Sequence, residues 1–142
     1  MANKLSGYPV TIAVESATPG TYTTIAAVLD IEGPSIEVEQ IDFTSRDSSS
    51  WKEFVGGLID GGECTFDVLY DPDTATHGNS GVGLVALAIA RTIKSWRLTL
   101  SDATPTVWEF DAFVKMFKPK APMKDALRAS VTLKVTGAHS IA

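Results

Sequence analysis

The chain has 142 residues, of which 44% are hydrophobic and 20% charged, and its 12 basic against 17 acidic side chains give a net charge of −5. That size suits one domain, expected over residues 1–142, burying roughly two-thirds of its unfolded surface. The acidic balance argues against a nucleic-acid binder working through a basic face, though not against a protein that nucleic acid merely passes. No apolar run reaches the ~18 residues of a membrane span, so no membrane partner is expected. The opening MANKLSGYPVTIAVE lacks the continuous apolar core of a signal peptide, and the single Cys64 can form no internal disulfide. Synthesis in the cytoplasm is the expectation.

Strand signals come first. Tyr22 to Ile31 is rich in β-formers and alternates, with Ile25, Ala27, Leu29 and Ile31 on one face. Glu32-Gly33-Pro34 marks a turn. In the next strand Ile36 and Val38 share one face while Ile41 and Phe43 fall on the other, which predicts a β-bulge or bend near Gln40.

Thr44 to Gly62 then forms a long connection, TSRDSSSWKEFVGGLIDGG. Loops beyond roughly 12–15 residues are usually functional or disordered, and this one is not composed like a disordered tail. Its polar half gives way to Trp51, Phe54, Val55, Leu58 and Ile59, broken by Gly56-Gly57. Such residues need cover. Either the loop folds back as a lid on its own core, or a neighbouring molecule covers it.

Cys64, Phe66, Val68 and Tyr70 alternate with polar residues in a half-buried strand, where Leu69 is an apolar outlier on the polar face, and Asp71-Pro72 stops it. One helix is expected in GVGLVALAIARTI, capped by Asn79 or Ser80, with Leu84, Leu87, Ala88 and Arg91 at helical spacing. Trp96, Leu98 and Leu100 alternate next, and a turn at Ser101 to Pro105 leads into a hairpin partner.

In that partner, Thr106 to Phe117, one face carries Trp108, Phe110, Ala112, Val114 and Met116. The other mixes charges with Phe113 and Phe117. These two, like Leu69, are either covered within the molecule or form part of a subunit interface, where aromatics and Met are enriched. Val131, Leu133 and Val135 close the pattern. About six or seven strands and one helix suit a mainly β fold, a small two-sheet sandwich or barrel with the helix packed on it.

Nothing points to catalysis or to a cofactor. His77 and His139 are far apart with no ligand spacing around them or Cys64, so no metal site is expected. Asp71-Pro72-Asp73 lacks the glycine and closing glutamate of a calcium loop. Asp60-Gly61-Gly62-Glu63 precedes no helix and carries no Lys-Ser/Thr, so it is a turn and not a phosphate cradle. Ser45 and Ser48 to Ser50 sit in no nucleophile-elbow pattern.

Three stretches carry a resemblance: Trp51 to Asp60 followed by the strand Gly62 to Pro72; the helix-then-strand unit Gly83 to Leu100; and Phe110 to Phe117 with Pro119 to Pro122, Asp125 to Leu127 and Ala129 to Gly137. In order and spacing they resemble the tail tube proteins of long-tailed bacteriophages, the siphophage major tail protein family. Some members carry an additional immunoglobulin-like C-terminal domain, for which this chain leaves no room.

The resemblance implies a non-enzymatic structural subunit of the virion that closes into hexameric rings stacked as a hollow tube. Sheets of neighbouring subunits would join into an inner barrel, DNA would pass as cargo, and tape-measure, tail-tip and tail-terminator proteins would be partners. It also implies that the long loop reaches the adjacent ring, so Trp51, Phe54, Leu58 and Ile59 are expected interface residues, joined by Leu69, Phe113 and Phe117 from the mixed strand faces. Six chains at −5 would bring about −30 per ring, and Glu37, Glu39, Asp67, Glu109 and Asp111 are candidates to repel phosphates from the bore. Two rival readings are the tube of a contractile secretion system or tail-like particle, and a carbohydrate-binding sandwich stacking sugars on Trp51, Trp96 or Trp108.

Overall fold

A computed structural model of the chain describes Gly7 and residues 9–141. The expectation about a signal peptide falls mainly on residues 1–6 and Tyr8, outside the described residues. Among the described residues the order is β1 (Thr11–Glu15), β2 (Tyr22–Thr24), β3 (Val28–Glu32), β4 (Glu37–Asp42), β5 (Phe54–Asp60), β6 (Glu63–Leu69), α1 (Leu84–Ala90), β7 (Lys94–Thr99), β8 (Val107–Lys120) and β9 (Arg128–Ile141). Seven strands form one antiparallel sheet in the order β2-β1-β7-β8-β9-β6-β3, and β4 pairs with β5 in a second sheet.

The two margins of the large sheet, β2 and β3, are consecutive in the chain and separated only by residues 25–27. A sheet whose outer strands are joined this closely must curl on itself, and the inward faces then share one core. Ile12, Val14, Phe66, Val68, Trp96 and Phe110 are each at most 1% exposed. Trp96 satisfies its indole N–H by donating to the Ala112 carbonyl at 3.2 Å, so its burial leaves no orphaned donor. Helix α1 packs against β8 and buries Leu84 and Leu87.

Several expectations are corrected. The strand expected from Tyr22 to Ile31 is two strands, because Ala27 adopts φ 54° and turns the chain; Leu29 is consequently exposed. The helix is shorter than its apolar pattern. Its N-cap is Gly83, not Asn79 or Ser80, with no side-chain cap, and Arg91 at φ 57° ends it. Strand β1, whose buried Ile12 and Val14 alternate with the less buried Thr11, Ala13 and Glu15, is an additional element.

The core face of β8 also changes partway. A register shift between Val114 and Met116 leaves Met116 45% exposed. Phe117 turns to the core instead, half-buried and edge-on to Tyr70 at 5.1 Å between ring centroids.

Candidate assembly surface

The segment expected as a loop from Thr44 to Gly62 contains the seven-residue strand β5, Phe54–Asp60, in its apolar half, while residues 44–53 remain turn and coil. β5 pairs along β4, with the register shift falling between Val38 and Gln40, where the sequence slips face. Since β3 pairs β6 and β4 pairs β5, the chain from Val28 to Leu69 is one long hairpin bent in the middle. Its inner half belongs to the large sheet. Its outer half leaves that sheet as a two-stranded arm.

Glycine makes the bend possible. Gly33 (φ 90°) and Gly62 (φ 68°) occupy the left-handed region that side chains resist. A Cβ on Gly33 would lie 2.2 Å from the Glu63 carbonyl oxygen, so the two strands could not cross there with any other residue. The Ser35 N–H donates to Gly61 O at 3.1 Å and the Gly62 N–H to Asp60 Oδ1 at 2.9 Å, which fixes the direction in which the arm leaves. The Gly62 N–H, and after it Lys134 at 3.6 Å, hold the Asp60 carboxyl below its ordinary value.

The tip is knitted by its own polar groups. Phe43 N–H donates to Glu53 O and Glu53 N–H to Thr44 Oγ1, both at 2.8 Å, while Ser45 N–H donates to Ser48 Oγ at 3.0 Å. A hydrogen bond from Thr44 likewise lowers the Asp42 carboxyl. The serine-rich stretch is therefore a built turn that presents Trp51.

The arm is oily on a scale that its own subunit does not cover. Trp51 is 79% exposed, Phe54 47%, Leu58 82% and Ile59 66%, and Ile36, Val38, Ile41, Phe43 and Val55 are exposed with them. A two-stranded ribbon is marginally stable in water, and large apolar side chains exposed together on one make it a candidate interaction surface. Where the arm departs, it and the end of β9 enclose a groove of about 850 Å³ lined by Ile36, Val38, Leu58, Ile59, Val135 and Ile141, with Glu37, Glu39 and Asp60 among its polar residues. Beyond Val135, β9 has β8 on one side and, among the described residues, no strand on the other. His139 also lines this groove; it packs 5.5 Å from Trp108 and its two ring nitrogens are buried without a hydrogen-bond partner among the described residues.

The structure thus gathers Trp51, Phe54, Leu58 and Ile59 on one projecting element. It does not bring Leu69 to them: that residue, 38% exposed, ends β6 at the opposite end from the arm. Phe113 is half-buried beside Lys134 of β9, and Phe117 faces the core. Of the acidic candidates, Glu37, Glu39 and Asp111 are exposed, whereas Glu109 is paired with Arg97 at 3.2 Å and Asp67 accepts from the Ser130 hydroxyl at 2.9 Å. Trp96 is buried and Trp108 half-buried against His139, which leaves Trp51 alone of the three as an open aromatic surface on which a sugar could stack.

The remaining polar residues are structural. Buried His77 joins two connections: Nδ1 accepts from the Asp71 N–H at 3.3 Å, and Nε2 lies 2.7 Å from the Ala26 carbonyl oxygen, to which it donates. Burial pushes the Cys64 thiol up to about 12, so it is unreactive. No helix among the described residues is long and apolar enough to cross a membrane.

Solved structures share this architecture. A chain from the tail of an empty gene transfer agent particle, refined helically with C6 symmetry, superposes with a TM-score of 0.83 at 15% identity, covering 98% of this chain and 99% of that one. The phage SPP1 tail tube gives 0.73 at 10% identity, covering 97% and 78%. A chain from an extracellular contractile injection system, in the PVC sheath/tube terminator in its extended state, gives 0.73 at 12% identity, covering 99% and 98%. No curated protein matches the chain. The family model described as "Lambda phage tail tube protein, TTP" matches residues 10–142. The chain therefore belongs to the lambda phage tail tube protein family, the structural proteins that build the tail tube of the virion.

Proposed function

We propose that copies of this chain close into hexameric rings, that the rings stack into a tube through the projecting arm, and that DNA travels through the bore. The observation that carries this is the arm itself: a two-stranded ribbon that leaves Trp51, Leu58 and Ile59 largely uncovered and Phe54 half-covered by their own subunit. Contact between unlike patches of identical copies closes into a ring if the rotation allows and otherwise continues as a filament, and a tube uses both. The C6 symmetry of the gene transfer agent tail, which has the same fold, supports six copies per ring.

The chain then acts as one structural domain without a catalytic role or cofactor, and its partners are further copies of itself and the tape-measure, tail-tip and tail-terminator proteins. Leu69 and Phe113 serve as secondary contacts within the ring; Phe117 contributes chiefly to its own core. Exposed acids such as Glu37, Glu39 and Asp111 keep phosphates from adhering to the wall; a bore that is neutral or basic in the assembled tube would end that part of the reading.

The chain's likeness to contractile injection system structures favours one second reading, in which the tube sits inside a contractile sheath. Co-purification with a sheath protein would select it. The primary test is negative-stain microscopy of purified protein at rising concentration, alone and with a tail-tip complex. Rings or tubes are expected; monomers under every condition would refute self-assembly.

A further inference from the structure

We propose that the groove at the root of the arm is the acceptor for the Trp51 tip of an arm from a second copy of the chain. This rests on the tube reading above and assigns the contact that joins one ring to the next. Donor and acceptor sit at opposite ends of the same ribbon: the tip follows the Asp42–Phe54 pair, and the groove lies at the Glu37–Asp60 pair. Six strand residues span about 20 Å at ~3.4 Å each, so a tip cannot reach its own groove without breaking the ribbon. Tip-to-root contact therefore requires two copies, and because the patches differ each copy can give its tip to one neighbour and accept the tip of another.

Size and charge agree with this occupant. The groove's 850 Å³ lies within the roughly 300–1,000 Å³ of pockets that enclose a group larger than one indole. Trp51, at 79%, is the most exposed aromatic side chain among the described residues. Arg46 and Lys52 of the tip have no ion-pair partner among the described residues, nor do Glu37 and Glu39 of the groove. The tip's Asp47 and Glu53 make it formally neutral; Glu53 accepts a hydrogen bond from the Ser48 hydroxyl, while Arg46 and Lys52 stand exposed beside Asp47. The unpaired side of β9 beyond Val135 adds a backbone edge on which an incoming extended segment can be seated.

Disulfide trapping tests it. The pair Ser50→Cys with Ala138→Cys places one thiol beside the donor and one on the acceptor, and buried Cys64 stays out of exchange. Mild oxidation of assembled tubes is expected to give a ladder of covalent multimers on a non-reducing gel, at least tenfold above that from Ser50→Cys with Met123→Cys, whose second thiol lies in the distant β8–β9 connection. In a second arm, Lys52→Glu weakens stacking at least tenfold and Glu39→Lys restores it. Tubes that form without the first ladder, or with equal ladders from both pairs, overturn the acceptor assignment and leave the tube reading intact. Failure of the wild-type chain to form tubes on a tail-tip complex overturns both.

Discussion

Replacing Trp51 and Phe54 together by Ser separates assembly from folding. In the free subunit Trp51 is 79% and Phe54 47% exposed, so most of their apolar surface is available to a neighbour and little of it holds the subunit together. Together they leave roughly 300 Å² of apolar surface in water, worth up to about 7 kcal/mol at ~25 cal/mol per Å² if fully covered. Ordering and desolvation consume much of that, and interface anchors typically cost about 2–4 kcal/mol each when truncated. Even the lower figure weakens a single contact about 30-fold, and a ring makes several at once. The folding cost is smaller, about 1–2 kcal/mol, mainly from the half-covered Phe54 in strand β5. For a domain of this size that lowers Tm by about 3–8 °C. Circular dichroism melts and electron microscopy of the same sample read both quantities. A folded double variant that forms no tubes is expected. An unfolded variant would mean that the arm is a lid on its own core, and undiminished tubes would mean that the arm is not the contact.

Gly33→Ala is expected to destabilise by about 2–5 kcal/mol, from its positive φ and the collision with the Glu63 carbonyl; urea titration checks it, and a cost under 1 kcal/mol would mean the bend is not held as described. His77→Phe keeps the volume and deletes two hydrogen bonds, so a loss of about 1–3 kcal/mol is expected in the same titration; an unchanged midpoint would refute the role given to His77. Asp60, Glu63 and Asp102 have carboxyls held below their ordinary values of 3.8, 4.5 and 3.8, Asp60 first by the Gly62 N–H, Glu63 first by Lys115 and Asp102 first by the Thr106 hydroxyl. Lowered folded-state values mean that the unfolded chain binds more protons below those pH values, so this stability is present above them and is lost as pH falls through them. Melting curves between pH 6 and 3 should show Tm falling, with a smaller fall in Asp60→Asn; identical curves would contradict the assignment.

Much of the β architecture was legible because burial imposes period two. Cys64, Phe66 and Val68 alternate inward as read, and the face slip near Gln40 does mark a bulge. What escaped has local causes. Gly56-Gly57 looks like a loop breaker, yet a Cβ on either would lie about 3 Å from the Val38 or Ile41 side chain, so the pair makes room for β4 across the ribbon. Ala27 gives no sign of a left-handed turn, because the turn is set by tertiary pairing on both sides. The cap at Gly83 carries no side-chain signature, and a Cβ there would lie 2.0 Å from the Gly78 carbonyl oxygen, so packing selects the glycine. Alternation alone could not reveal that the bulge before Met116 exchanges it for Phe117. The arm residues were recognisable as needing cover, but that the arm projects as a paired ribbon over a groove follows only from the fold.

Hydrogen–deuterium exchange of Phe54–Asp60, compared between free subunit and assembled tube, tests the central claim most directly. The account predicts rapid exchange in the free subunit, where the ribbon stands alone, and strong protection once rings stack. Equal exchange in the two states, or full protection already in the monomer, would contradict it.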